Sequence, residues 1–196
     1  DMAGGAAVIG ALRSIAQLHL PVRVVGLVCA AENMPGPAAI KPGDVVKAMN
    51  GKSVEYISTD AEGRMVLADG LCYSARYHPT AIVDCATLTG SIVMTLSSDL
   101  SGIFCNDDAL FARLQAASEA AGEPLWRLPL WKPYRERINS DVADMKGSTG
   151  TRYAGAIIAA LFLQEFVPEN TPWAHIDIAG AAWQDKELAG QEATLV

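Results

Sequence analysis

No stretch of this sequence approaches the ~20 consecutive apolar residues of a membrane-spanning helix. Its first residues also lack the basic-then-apolar pattern of a signal peptide, so the chain reads as soluble. Basic residues are scarce: 15 Lys and Arg against 22 Asp and Glu leave a net charge of −7. That balance argues against a protein built to grip nucleic acid, because phosphate binding is driven chiefly by clustered Lys and Arg. Cysteines are few, and no C-x-x-C pair occurs. Cys29, Cys72, Cys85 and Cys105 each sit in an apolar run, a pattern of buried free thiols in a reducing, cytoplasmic compartment. His19, His78 and His175 show neither H-x-x-x-H nor H-E-x-x-H spacing, which sets aside a His-based zinc protease. No G-x-S-x-G elbow and no G-x-x-x-x-G-K-[ST] loop appears. An initiator methionine is lacking too: the sequence opens on Asp1 and stops abruptly after Val196, so it reads as an excerpt from a longer polypeptide.

What is present is enough apolar sequence for one sizeable core, about half of 196 residues, and therefore a single domain, 1–196. Helical spacing of Val8, Leu12, Ile15 and Ala16 predicts a helix from Gly5 to His19, closed before Pro21. Val22 to Ala31 is a nearly continuous aliphatic run and predicts a buried strand. Val45–Met49 and Lys52–Tyr56 flank Asn50-Gly51, the turn chemistry of a hairpin. A helix to about Arg76 follows, then a strand at Thr80–Asp84 and a short helix from the Ala86–Gly90 turn to Leu96. Gly102–Cys105 predicts a strand, Asp107–Ala121 and Tyr153–Phe166 predict helices, and Trp173–Ile178 predicts a last strand. Strands alternating with helices imply an α/β fold whose mainly parallel or mixed sheet is sandwiched between helices. Ligands bind such sheets beyond the carboxyl ends of the strands. The loop at Glu32, the turn 86–90 and the loop 179–182 fall on that side.

The densest chemistry lies in Ser58-Thr59-Asp60-Ala61-Glu62-Gly63-Arg64. Asp60 and Glu62 are hard oxygen donors suited to divalent cations, and in extended backbone side chains two apart face the same way. On spacing alone a solvated turn whose Asp60 or Thr59 caps the next helix is the stronger reading. Arg64 falls in the first helical turn, where a positive charge opposes the helix dipole. Either a bound anion or a surface ion pair with Asp60, Glu62 or Asp69 accounts for it. Asp1 reads as a helix cap or a ligand, and Thr87, Leu88, Thr89 and Gly90 as a strand-to-helix turn or a substrate-facing one. Asp141, Asp144 and Lys146 read as a structural cluster.

Taken together, the chain resembles the catalytic domain of the leucyl (cytosol) aminopeptidase family. The family signature looks like Asn-Thr-Asp-Ala-Glu-Gly-Arg-Leu, which residues 58–65 match except for Ser58 and Met65. Further family-like segments follow in family order: Asp1-Met2, Ala31–Pro35, Lys41–Val45, Ala86–Gly90, Leu125–Pro129, Ser140–Asp144 and His175–Gly180. The resemblance implies a metal-dependent exopeptidase in which Asp1, Asp60 and Glu62 are metal ligands and Glu62 bridges two ions. Those ions would be Zn²⁺, Mn²⁺ or Mg²⁺. It implies that Arg64 holds a bicarbonate acting as general base, and that Leu88 offers its backbone carbonyl near that site. Thr87 and Gly90 would help to shape the pocket for the residue cleaved. Peptide substrates and a homo-hexamer are implied as partners.

The departures are equally specific. A lysine and an aspartate that bind the metals in this family, and a second lysine that polarises the carbonyl, come before the position of Asp1. The family's Gly-rich closing segment is not recognisable in Glu187 to Val196, and Gly36-Pro37-Ala38 stands where Ser-Gly-Asn is usual. The competing expectation is therefore a non-catalytic scaffold or binding subunit that keeps the fold without a complete metal site. A metal-dependent nuclease or phosphatase built on Asp60 and Glu62 would need a basic groove, and none is evident in the sequence.

Overall fold

The computed structural model describes residues 1–182; residues 183–196, which include the expected closing segment 187–196, lie outside the described residues. Helix α1 (Ala3–Gln17) leads by a long connection to strands β1 (Val45–Lys47) and β2 (Ser53–Glu55). A 3-10 turn (Thr59–Ala61) opens helix α2 (Gly63–Ser74), then β3 (Ile82–Ala86), α3 (Gly90–Leu96), β4 (Ser101–Cys105) and α4 (Asp108–Ala121). The chain continues through β5 (Leu125–Arg127), a 3-10 segment (Lys132–Ile138), β6 (Met145–Lys146), α5 (Gly155–Gln164) and β7 (Trp173–Asp177). The strands form a four-stranded sheet in the order β3-β7-β4-β5 and a three-stranded sheet in the order β1-β2-β6. The larger sheet is mixed: β3 with β7 and β4 with β5 run parallel, while β4 and β7 are antiparallel.

Local chemistry explains most boundaries. Asn50-Gly51 turns the β1–β2 hairpin with Gly51 at φ +89°, a left-handed backbone that glycine adopts without strain. Asp107 caps α4 by accepting from the Leu110 amide at 2.7 Å, and Gly122 closes that helix in the left-handed region. Thr89 caps α3 in the same way, accepting from the Ile92 amide at 3.1 Å. Helix α5 is apolar on nearly every face, as befits a helix enclosed by α2, α3 and the 132–138 segment. Its Phe162, Leu163 and Ile158 join Trp173, Phe104, Met145 and Val54 in one core, where each fully buried large side chain contributes ~1.5–3 kcal/mol relative to exposure. Glu165, just past α5, accepts from Lys52 Nζ at 2.5 Å and Arg135 Nε at 2.6 Å, tying the small sheet to the helical layer.

Two expectations fail, and for one reason. Residues 22–31 form no strand: no described strand bonds to them, and Val22, Val24, Val25 and Val28 are exposed. Apolar content predicts burial, whereas strand geometry needs a ladder partner. The segment instead runs past the helices, with Gly26 against Val8 and Leu12 of α1 and Gly70 of α2 against the Cys29 thiol. Cys29 is accordingly exposed, so the four thiols are free but not all buried: Cys105 is buried, Cys72 and Cys85 half-buried. Of the expected cluster Asp141, Asp144 and Lys146, Asp144 is structural, while the side chains of Asp141 and Lys146 make no hydrogen bond or ion pair among the described residues. Asp144 accepts from the amide and hydroxyl of Ser53, both at 2.8 Å, and Ser140 donates to Glu55 at 2.5 Å, which fastens β2 beside β6. Among the described residues no helix is long and apolar enough to cross a membrane.

Candidate active site

Three segments meet beyond the carboxyl ends of β3 and β7. The start of α1 comes close because Gly4 has no side chain: a Cβ there would collide with the Cys85 carbonyl of β3. That approach brings Asp1 within 3.4 Å of the Thr87 hydroxyl, which donates to its carboxylate. Asp1 does not cap α1, whose cap position is Met2 without a side-chain bond. The 59–64 segment meets the 87–90 turn where Gly63 faces the Leu88 side chain. Within it neither Asp60 nor Thr59 caps α2; Ser58 accepts from the Asp60 amide at 3.3 Å, and Glu62 holds the cap position with no side-chain bond. The capping reading of the acidic pair is thereby set aside. Asp60 is exposed and Glu62 half-buried.

Arg64 departs most from the surface reading. It is 8 % exposed and makes no ion pair among the described residues. Its Nη1 donates to the Gly147 carbonyl at 2.9 Å. Nε is buried without a partner among the described residues, as is the hydroxyl of Ser148, the residue next to Gly147. Burial pulls the guanidinium down to about 10, while the charges of Asp177, Glu62 and Asp60 oppose the fall, so it remains a cation at neutral pH. A buried cation with an unspent N–H can pair with an anionic oxygen.

The donors also suit a divalent metal in kind, since carboxylates are hard ligands, but not in number. Among the described residues no group of three or more ligating side chains converges, whereas a complete shell needs at least four donors. Asp1, Asp60 and Glu62 thus supply at most part of a two-metal centre.

Two features were not singled out from the sequence. Asp177, the last residue of β7 and 1 % exposed, accepts from the Leu88 amide at 3.0 Å, the Thr89 hydroxyl at 2.7 Å and the Ala179 amide at 3.2 Å. Asp84 of β3 stands opposite His175 of β7. It takes Nδ1 of His175 at 2.5 Å and Nε1 of Trp173 at 2.6 Å. Burial alone would lower the His175 imidazole, but the charge and hydrogen bond of Asp84 prevail and hold it above its ordinary value. The available signal was the period of two along Trp173, His175 and Asp177, which puts three polar-tipped side chains on one face of a buried strand.

Comparisons with known proteins point the same way as this geometry. The sequence model of the cytosol aminopeptidase family, catalytic domain, matches residues 1–195. A probable cytosol aminopeptidase of Roseiflexus castenholzii is 58% identical over 187 residues, covering 95% of this chain and 38% of the relative. That of Geobacter sulfurreducens is 55% identical over 186 residues, covering 95% and 37%. Among solved structures, a lysine-to-glutamate mutant of tomato leucine aminopeptidase superimposes with TM-score 0.89 at 43% identity, over 95% of this chain and 37% of that one. The bottromycin maturation enzyme BotP in complex with Mn gives 0.88 at 44%, over 95% and 41%. The chain therefore spans less than two fifths of the length of these curated relatives. With a catalytic-domain match along almost its whole length and more than half of its residues shared with named relatives, the chain belongs to the cytosol aminopeptidase family.

Proposed function

We propose that the polypeptide carrying this chain is a metal-dependent aminopeptidase that releases N-terminal residues, leucine among them, from peptides. The observation that carries the reading is Arg64, a buried cation with an unspent Nε, set two residues after Glu62 and acted on by the charge of Asp177, which in turn binds the Leu88 turn. Asp1, Asp60 and Glu62 would hold part of a divalent-metal centre, completed by ligands outside the described residues, and Arg64 would hold a bicarbonate. When bound, the metals would lower the pKa of a water and polarise the scissile carbonyl, and the bicarbonate would supply a base.

The remaining roles belong to the chain itself. Arg64 fixes negative charge at one place, because Gly147 holds its guanidinium and burial limits its rotation. Thr87 steadies Asp1. Leu88 presents a backbone carbonyl from a turn whose amide is already spent, and Gly90, exposed and without a side chain, leaves room beside it for the residue being removed. The BotP complex, which holds Mn, supports the metal dependence by kinship.

A peptide with a free amino end and its N-acetylated counterpart test this reading. With added divalent metal, the whole polypeptide is expected to release single residues in order from the free peptide and to leave the acetylated one intact. Cleavage at internal bonds, or equal rates on both, would overturn the assignment.

A further inference from the structure

Asp177 does more than close the end of a strand. β7 lies between β3 and β4, so this carboxylate emerges where the carboxyl ends of β3 and β7 meet the amino end of β4, opposite Ala86 and Gly102. It is shut away from water, and the three donors that satisfy it come from two places: its own loop at Ala179, and two consecutive residues of the 87–90 turn. The placement of those two bonds matters. One grips the amide of Leu88 and the other the hydroxyl of Thr89, so they bracket the peptide unit between residues 88 and 89, the unit that carries the Leu88 carbonyl. Rotation of a planar peptide is set by the dihedral angles on either side of it, and both sides are tethered to one buried group. The Thr89 hydroxyl also accepts from the Ile92 amide at 3.1 Å, so the tether extends into the first turn of α3. The charge of Asp177 also acts on the Arg64 guanidinium without an ion pair between them, favouring its protonated form ahead of Glu62 and Asp60. One carboxylate thus connects the turn with the buried cation.

We propose that Asp177 is a positioning residue of the reaction: through the Leu88 amide and the Thr89 hydroxyl it fixes the direction of the Leu88 carbonyl and the pose of the 87–90 turn against the peptide. The proposal rests on the aminopeptidase reading above. Asp177→Asn keeps the size of the side chain and removes its charge. In the whole metal-loaded polypeptide it is expected to lower kcat by ~10–100-fold, the scale of losing a group that orients a directly acting one. KM for a leucyl reporter should stay within about threefold, the pattern of an interaction realised at the transition state. Thr89→Val should reproduce that loss and Thr89→Ser should restore near-normal kcat, because only the hydroxyl is required. The double variant Asp177→Asn with Thr89→Val should be no slower than the slower single one, as for residues acting through one linkage. Hydrogen exchange at the Leu88 amide should quicken in Asp177→Asn.

A purely structural Asp177 would lower the melting temperature and leave kcat per folded molecule unchanged, and that result overturns the proposal. So does additive loss in the double variant. If Asp177→Asn does not fold, Thr89→Val against Thr89→Ser decides, and equal kcat for the two overturns it. A wild-type polypeptide inactive with every divalent metal would sink the aminopeptidase reading and this proposal with it; an active wild type with unimpaired Asp177→Asn sinks the proposal alone.

Discussion

Glu62→Gln is expected to leave the fold in place and cut peptidase activity by roughly 10³-fold or more, at or beyond the upper end of what one fixed electrostatic stabiliser contributes. The fold should persist because the structural work at this position is done by the backbone. The Glu62 carbonyl accepts from the Met65 amide at 2.9 Å and the Val66 amide at 3.2 Å, which opens α2, and the carboxylate caps nothing. A glutamine keeps those bonds and the size of the side chain. What it removes is a charge in the one half-buried carboxylate of the 60–64 segment, adjoining Gly63, which faces Leu88. Loss of a charged oxygen donor weakens a hard-cation site directly. Reporter kinetics at saturating metal, together with a thermal melt, check this. An intact melt with activity within tenfold of wild type would remove Glu62 from the site.

Asp84→Ala is expected to cost ~3–5 kcal/mol of stability, the range for stripping one partner from a buried charged pair. The deletion strands two donors at once, Nδ1 of His175 and Nε1 of Trp173, in the centre of the larger sheet where neither can reach water. The pair also sets a pH dependence. Folding holds the imidazole's pKa above the ~6.5 of an exposed histidine, so the folded state keeps the proton more tightly than the unfolded chain. The contribution is then complete below about pH 6.5 and is lost as pH rises through the raised folded-state value. Denaturant unfolding across a pH series rising from pH 6 measures both effects: the wild type should lose this increment as pH rises, and Asp84→Asn should lack the increment throughout. A change under about 1 kcal/mol for Asp84→Ala would mean that the pair is solvated.

These two residues also mark how far the sequence could be read. Helix α4 was legible because Asp107 stands at its cap and Gly122 just beyond its end, and the β1–β2 hairpin because Asn50-Gly51 admits few other conformations. Strands β5 and β6 were not, since two or three residues define no period. Their existence depends on partners distant in the chain, such as Met145 beside Val54. The antiparallel contact of β4 with β7 is likewise a property of connection, not of composition. The run 22–31 misleads because aliphatic content signals burial and says nothing of a ladder partner. At the site, Arg64 announced itself as a positive charge set against a helix dipole, and the structure places it inside. Asp60 and Glu62 remained ambiguous until the geometry showed that Ser58 takes the capping bond. Asp84 is hidden because it stands alone among apolar residues of β3, while His175 and Asp177 alternate with Ala174 and Ile176 along β7, a period that shows a shared face but not what that face meets. Only the register of β3 with β7 sets Asp84 against His175, and only the folded chain brings Asp177 to the Leu88 turn.

Hydrolysis of a leucyl reporter by the whole polypeptide, stripped of metal with a chelator and then resupplied with Mn²⁺, Zn²⁺ or Mg²⁺ in turn, bears most directly on the aminopeptidase assignment. Negligible activity after stripping, and recovery with at least one of the three ions, is the expected result. Inertness with all three, or full activity in the stripped protein, would contradict it; inertness in a folded polypeptide is the behaviour of a scaffold that has kept the fold without the chemistry.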